Sequence, residues 1–144
     1  MVMLIMMPWD TVIHYHHLGE MVGHTKKVNS VSYKPTRPFR VMTASEDMKT
    51  CCYVGPPFKL DHSDNSAHSN FVNCVRYSPD GNRCVSVSSD KKIQMYDGKT
   101  GLATMDVPNA HSMGIYSIAF SPDSSHFITA REDLPYCQTA STSR

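Results

Sequence analysis

The chain has 144 residues and a formal net charge of +1, from 14 Lys and Arg against 13 Asp and Glu. That length allows one ordinary domain, and the near-zero net charge does not suggest nucleic acid or an anionic membrane as a partner, because a basic footprint needs many more uncompensated Lys and Arg. Hydrophobic residues make up 40% of the sequence, enough for a core, and the scattered Gly, Pro, Ser, Asn and Asp favour short strands joined by turns.

The N-terminus begins with seven apolar residues, Met1–Met7, followed by Pro8 and Trp9. A signal peptide has a basic start and small residues at its cleavage site, and a transmembrane helix needs about 20 apolar residues. Residues 1–17 match neither pattern. They are expected to form one short buried strand or a disordered or spurious leader.

Three segments of the sequence then repeat one pattern. They begin at His24, His68 and His111, which are 44 and 43 residues apart. Each histidine precedes an alternating apolar strand, a turn that contains proline, a second apolar strand and an acidic turn. This period matches a four-stranded β-propeller blade. We therefore predict an all-β partial propeller of about three antiparallel blades, near residues 24–66, 67–109 and 110–133, with the last one incomplete.

The third repeat departs from the first two. Tyr53 and Tyr96 follow their acidic turns by six residues, and Leu102–Val107 is predicted to be the fourth strand of the second repeat. In the third repeat Pro135 stands where a central strand should run, and proline cannot donate to a sheet ladder. Residues 134–144 are therefore expected to be a polar tail, without a third or fourth strand.

This pattern resembles the WD-repeat family, in which a histidine, a strand hydroxyl, a turn aspartate and an aromatic residue form a buried hydrogen-bonded group. The resemblance implies the groups His24/Asp47/Tyr53 and His68/Asp90/Tyr96, and it places His111 and Asp133 in the third. Thr43 and either Ser86 or Ser88 are the candidate hydroxyl members. Because buried polar groups need partners, these residues are expected to fix the internal register of each blade.

Neither an enzyme nor a metal site is predicted. No nucleophile-elbow, P-loop or dinucleotide motif occurs, and the recurring histidines belong to the repeat. His14, His16 and His17 lack ligand spacing. The cysteines are odd in number and irregularly spaced, which indicates reduced cytosolic thiols; they are Cys51, Cys52, Cys74, Cys84 and Cys137. No cofactor and no small-molecule substrate are expected.

Several longer stretches resemble a narrower family. They are Gly55–Lys59, His68–Arg83, Tyr96–Gly101 and Ala110–Ile118. Together they resemble the N-terminal propeller of the actin-interacting protein 1 family, WD-repeat partners of cofilin, over residues 18–133. Members of that family are much longer, with two propellers in tandem. The resemblance implies a cytoplasmic, cytoskeleton-associated fragment that binds actin filaments and cofilin and promotes disassembly of cofilin-decorated filaments.

The resemblance also implies a partner-binding surface. Its candidate residues are Glu46, Asp47, Phe58, Leu60 and Phe71. Glu46 stands where the family tends to have aspartate, and Leu60 where an aromatic residue is usual. Asp47 is expected to act mainly inside the blade. The basic pairs at 26–27 and 91–92 are expected to be solvated on turns, although an acidic partner could use them.

Two alternatives stay open from the sequence. The chain could be a generic WD-repeat scaffold for another protein, or a non-functional truncation product. Three blades cannot close the ring that hides blade faces in a propeller. The chain is therefore expected to be a marginal monomer, derived from a truncated, mis-spliced or incomplete form of a longer protein.

Overall fold

The computed structural model describes residues 2–5, 16–131 and 137–141. Within these ranges the chain forms thirteen β-strands in four antiparallel sheets, and no helix. The predicted all-β class and partial propeller are therefore confirmed. Near the N-terminus, β1 (Val2–Ile5) pairs with β2 (His16–Glu20) in a two-stranded sheet.

The other three sheets are the blades. Blade 1 contains β3 (Val28–Tyr33), β4 (Arg40–Ser45), β5 (Thr50–Val54) and β6 (Lys59–Asp64). Blade 2 contains β7 (Val72–Tyr77), β8 (Arg83–Ser88), β9 (Ile93–Asp97) and β10 (Ala103–Val107). Blade 3 contains β11 (Ile115–Phe120), β12 (His126–Arg131) and β13 (Cys137–Ser141). In each blade, strands that follow one another in sequence are neighbours in the sheet.

Blade 3 has a third strand, so the expectation that it stops after two strands was wrong. β13 pairs with β12 over five consecutive positions, from His126 opposite Ser141 to Ala130 opposite Cys137. The strand begins two residues after Pro135, so no proline interrupts its ladder with β12. The polar character of this segment misled the prediction, because Gln, Thr and Ser supply backbone donors and acceptors as well as apolar residues do.

The three blades share one irregularity. The pairing of the first two strands shifts register between Val28 and Ser30 in blade 1, and the same shift recurs in blades 2 and 3. A β-bulge inserts one extra residue into a strand, and this residue has no partner directly opposite in the sheet. Its side chain can then bond with a neighbouring sheet. The bulged residues are Asn29, Asn73 and Tyr116.

The core lies mainly between the blades. One cluster joins Met42 and Ala44 of blade 1 to Val75 and Tyr77 of blade 2. A second cluster joins blade 2 to blade 3. The first strands β3, β7 and β11 contact one another in succession, which is how blades stack around an axis. Among the residues described, the protein contains no helix with the length and apolar character needed to cross a membrane.

Candidate partner-binding surface

In blade 1 the structure brings His24, Thr43 and Asp47 together. His24 Nδ1 lies 3.0 Å from Asp47 Oδ2, and His24 Nε2 lies 2.6 Å from Thr43 Oγ1. The backbone N–H of Thr25 donates to the same carboxylate at 2.9 Å. Burial by itself would raise the pKa of Asp47, but the hydrogen bonds from Thr25 and His24 outweigh it and hold that pKa below its usual value. Asp47 is therefore an ionised, buried acceptor.

Blade 2 repeats the arrangement. His68 Nδ1 lies 3.1 Å from Asp90 Oδ2, and His68 Nε2 lies 2.7 Å from Ser86 Oγ. Of the two candidate hydroxyls, Ser86 contacts the histidine, whereas Ser88 donates to the carbonyl of Asn70. Burial lowers the pKa of His68 more than Asp90 raises it. The imidazole is therefore neutral at pH 7, with its proton on Nδ1 directed at the carboxylate.

The two tyrosines lie beside these groups. Tyr96 OH is 3.3 Å from Ser86 Oγ, so it belongs to the group of blade 2. Tyr53 is buried with Met21 and Val41, and burial raises its pKa while Thr43 lowers it. In blade 3 His111 Nε2 lies 2.7 Å from Thr129 Oγ1. Asp133, the predicted acidic member, lies outside the described residues.

These groups offer little for chemistry on a substrate. The side chains of His24 and His68 are 5% and 0% exposed, and each is already bonded through both ring nitrogens. A general base must reach the proton that it removes, and these rings face only their own blade. What the groups can do is hold the connection before each first strand against the acidic turn of the same blade.

Asp47 and Glu46 stand at one end of blade 1. We call this the histidine end, formed by residues 21–27, 46–49, 65–71, 89–92 and 108–114. The opposite end is the proline end, formed by residues 34–39, 55–58, 78–82, 98–102 and 121–125. Successive turns of an antiparallel meander lie at opposite ends of its sheet.

Glu46 and Phe71 lie on the histidine end and are linked through two lysines. Lys27 Nζ lies 3.7 Å from Glu46 Oε1, and the backbone N–H of Glu46 donates to the Lys27 carbonyl at 2.9 Å. Lys26 Nζ lies 6.0 Å from the centroid of the Phe71 ring, which is 44% exposed. We call Glu46, Lys26, Lys27 and Phe71 the histidine-end patch. It combines a carboxylate, two ammonium groups and an open aromatic ring across blades 1 and 2.

The other three candidate residues lie elsewhere. Phe58 is at the proline end, half-buried against Tyr33, with ring centroids 5.9 Å apart. Leu60 is exposed on the outer strand β6, opposite Tyr53. Asp47 is buried behind Glu46. The five residues therefore lie at both ends and on the outer edge of blade 1 and, for Phe71, at the start of blade 2, and they do not form one contiguous patch.

Sequence reasoning missed the role of the lysine pair. It expected Lys26 and Lys27 to be solvated on a turn, and both residues are exposed; it did not predict that Lys27 lies beside Glu46 and Lys26 beside the Phe71 ring. A signal was present in the repeat, since Lys27 and Phe71 each stand three residues after the histidine of their blade. Equivalent positions in adjacent repeats come close together when the repeats stack.

A separate cluster in blade 1 contains side chains that bind metals in other proteins. Ligand atoms of Cys52, Asp61 and His62 lie within 4.8 Å of one another, the one such group among the described residues. Arg40 donates to Asp61 at 2.7 Å and to Cys52 at 3.3 Å. His62 Nε2 donates to the carbonyl of Gly101 at 2.9 Å. The hydrogen bond from Arg40 lowers the pKa of Asp61, and burial raises the pKa of the Cys52 thiol. The Arg40 guanidinium thus occupies the place next to Asp61 and Cys52 where a metal ion would bring its positive charge. The geometry is that of an ion-pair cluster.

Comparison with known proteins gives a consistent result. The family model described as "WD domain, G-beta repeat" matches residues 15–53, 61–97 and 103–133. The chain is 47% identical to "WD repeat-containing protein 1" of Mus musculus over 127 residues, which are 87% of this chain and 20% of that protein. It is 48% identical to the Gallus gallus protein of the same name over 118 residues, 81% of this chain and 19% of that protein.

A plant protein is similarly close. The chain is 47% identical to "Actin-interacting protein 1-2" of Arabidopsis thaliana over 110 residues, which are 75% of this chain and 17% of that protein. The chain thus spans about a fifth of the length of the curated relatives that it matches. With three matched repeats, three stacked blade sheets and this level of identity, the chain belongs to the WD-repeat family and is similar over most of its length to WD repeat-containing protein 1 and actin-interacting protein 1.

Proposed function

We propose that this chain is part of a non-enzymatic, actin-binding WD-repeat protein that promotes disassembly of cofilin-decorated actin filaments. The observation that carries the proposal is the 47% identity to a relative named as actin-interacting, over 75% of this chain. In this proposal the protein is cytoplasmic and cytoskeleton-associated, with actin filaments and cofilin as its partners. It needs no cofactor, nucleic acid, membrane or small-molecule substrate.

The histidine-end patch is the proposed point of contact. Phe71 is a large aromatic ring left 44% exposed, and aromatic side chains flanked by charges are enriched where protein interfaces derive most of their energy. Glu46 offers a carboxylate beside it, and Lys26 and Lys27 can meet acidic side chains. Leu60 would extend the contact along the outer edge of the blade. Asp47 and Phe58 would act by holding the turns that carry these residues.

The test is co-sedimentation of the full chain with actin filaments, with and without cofilin. We expect the chain to pellet with filaments when cofilin is present. The double variant Glu46→Ala with Phe71→Ala should lose most of this co-sedimentation, because it removes the carboxylate and the exposed ring. A matched control is Leu102→Ala, which removes a side chain that is 57% exposed at the proline end and should leave pelleting unchanged.

The outcomes distinguish the candidate functions. Loss of pelleting in the patch variant, with a circular dichroism spectrum like that of the unmodified chain, supports the patch. Equal loss in the Leu102→Ala control would argue against a specific surface. If the unmodified chain does not pellet with cofilin-decorated filaments at micromolar concentrations, the actin proposal fails, and a scaffold for another protein becomes the better interpretation.

A further inference from the structure

A line of contacts runs along the histidine end from the histidine-end patch toward blade 3. The backbone N–H of Ser89 donates to the carbonyl of Phe71 at 3.0 Å, which places the acidic turn of blade 2 beside the exposed ring. The N–H of Ala110 donates to the carbonyl of Lys91 at 2.9 Å, which joins the same turn to the connection that leads into blade 3. The patch therefore continues through the acidic turn of blade 2 to the start of blade 3.

This longer surface lies over the two junctions between blades. Blade 1 packs against blade 2 and blade 2 against blade 3, so its exposure is a property of blades that have their neighbours in place. We call it the histidine-end ridge, and it consists of Glu46, Lys26, Lys27 and Phe71 of the patch together with Lys91 and Met113.

The two ends of the blades differ in their exposed apolar side chains. The turns of the histidine end expose four large ones, Val22, Met48, Phe71 and Met113, each at least 39% exposed. The turns of the proline end expose one, Leu102. Aromatic residues and methionine are enriched at protein interfaces relative to the rest of the surface, and the flexible thioether of methionine adapts to the shape of a partner. The histidine end is therefore the better suited of the two to a protein contact.

The histidine end is also basic. It carries five lysines and one carboxylate, that of Glu46, which is not bonded to a histidine inside a blade. The adjacent lysine offsets that carboxylate, and Lys92 is paired with Asp106 at 3.3 Å. Lys91 is exposed and forms no ion pair with a carboxylate in the described part of the chain. The positive charge that the ridge leaves uncompensated therefore comes from Lys26 and Lys91.

The backbone at Lys91 is unusual for a lysine. Its φ is +70°, a left-handed conformation that favours glycine. Met48, at the same place in the acidic turn of blade 1, has a φ of +68° and is exposed as well. Backbone strain of this kind lowers the stability of the fold and is found where a side chain serves a contact.

We propose that the histidine-end ridge binds an acidic protein segment, with carboxylates against Lys26 and Lys91 and apolar side chains against Phe71 and Met113. This inference rests on the proposed function, because the segment belongs to the cofilin-decorated filament. It extends the contact surface to the start of blade 3 and assigns a charge to the partner. Opposite charges across an interface speed association, and dissolved ions weaken their attraction by screening it.

The experiment measures co-sedimentation of the full chain with cofilin-decorated filaments over a range of chain concentrations. Lys91→Glu should raise the concentration for half-maximal pelleting roughly three- to tenfold, because it turns an attraction into a repulsion. The matched control is Lys99→Glu, which makes the same change of charge at an exposed lysine of the proline end and should leave that concentration unchanged. Raising the salt from about 0.05 to 0.2 M should weaken pelleting of the Lys99→Glu chain more than that of the Lys91→Glu chain.

Three further variants separate the contact from the stability of the fold. Lys91→Gly removes the ammonium group and relieves the left-handed backbone, so it should keep or raise the urea midpoint and still weaken pelleting. Met113→Ala should weaken pelleting because it removes an apolar contact. Its control is Met105→Ala, which truncates a methionine that is 58% exposed on β10 and should pellet like the unmodified chain.

The outcomes separate this inference from the proposed function. If the unmodified chain does not pellet with the filaments, the proposed function fails and this inference fails with it. If the unmodified chain pellets and either Lys91→Glu or Met113→Ala pellets equally well, the acidic-segment inference alone is overturned. It is also overturned if Lys99→Glu weakens pelleting as much as Lys91→Glu, because the effect would then follow the net charge of the chain.

Discussion

The hydroxyl of Tyr96 in blade 2 lies 3.0 Å from the hydroxyl of Thr50 in blade 1. Both residues are about 1% exposed, and Tyr96 also contacts Ser86, which in turn contacts His68. A chain of hydrogen bonds therefore runs from the acidic turn of blade 2 into the third strand of blade 1. The phenol makes this possible, because its hydroxyl can both donate and accept.

The first prediction concerns this contact between blades. Tyr96→Phe and Thr50→Val should each lower the free energy of unfolding by about 1 to 3 kcal/mol, because each leaves a buried partner without its hydrogen bond. The double variant should cost less than the sum, since both changes remove one interaction. Urea unfolding followed by circular dichroism measures all three.

Tyr77→Phe is the matched control. Tyr77 is 7% exposed, and its hydroxyl is buried without a hydrogen-bond partner in the described part of the chain. Removing that hydroxyl should leave the free energy of unfolding unchanged or raise it slightly. The hydroxyl loses its hydrogen bonds to water on folding and gains none in the folded protein, so its removal breaks no interaction. If Tyr77→Phe and Tyr96→Phe destabilised the chain equally, the contact with Thr50 would have no special role.

The repeated sequence pattern predicts most of the fold, but it does not predict the contacts between one repeat and the next. The spacing of His68 and Asp90 indicates a blade, because the pair recurs at a period that fits four strands. The pairing of Thr50 with Tyr96 spans 46 positions and has no periodic signature. It depends on how two blades stack, which no single repeat encodes. The strand β13 was missed because the segment is polar and because Pro135 was placed inside the strand, whereas the strand begins at Cys137.

The candidate surface was predictable only in part. Glu46 and Phe71 lie at the same end because alternate turns of an antiparallel meander share an end, whereas Phe58 lies in the intervening turn at the opposite end of the blade. A list of residues from one stretch of sequence cannot separate the two ends. That separation requires the strand directions, which the meander fixes.

The second prediction separates Asp47 from its neighbour Glu46. Asp47→Ala should lower the free energy of unfolding by about 2 to 4 kcal/mol, because it removes the charged acceptor of the buried His24 side chain and of the Thr25 N–H. Glu46→Ala should change it by less than about 0.5 kcal/mol, because the ion pair with Lys27 is exposed. Thermal and urea unfolding of both variants check this. A large effect of Glu46→Ala on stability would place it inside the blade rather than on a contact surface.

The third prediction is a loss of stability in acid. The folded pKa of His68 is lowered from its usual value of 6.5 by burial, so below that pH the unfolded chain binds a proton that the folded chain does not. Stability therefore falls as the pH drops below 6.5. Asp47 and Asp90 also have lowered pKa values, because backbone and histidine hydrogen bonds outweigh their burial. Their contribution is present above the usual value of 3.8 and is lost as the pH falls through their folded pKa values.

Urea midpoints between pH 8 and pH 3 provide the measurement. We expect a flat profile above about pH 7, a decline that begins near the usual histidine pKa, and a steeper decline below about pH 4. In the variant His68→Gln the first decline should shrink, while the lower one should remain. An unchanged upper decline in that variant would show that another group causes it.

The last prediction concerns the turn between β7 and β8, where Gly81 has a φ of +71°. That left-handed conformation disfavours a side chain, and a Cβ at this position would collide with the hydroxyl of Thr36 in blade 1. Gly81→Ala should therefore lower the free energy of unfolding by about 1 to 3 kcal/mol, from backbone strain and the contact between blades. The second variant Thr36→Ala relieves the collision but not the strain. If backbone strain alone were responsible, the free energy lost in the double variant would equal the sum of the losses in the two single variants. A smaller loss in urea unfolding of the double variant would show that the turn of blade 2 is packed against blade 1.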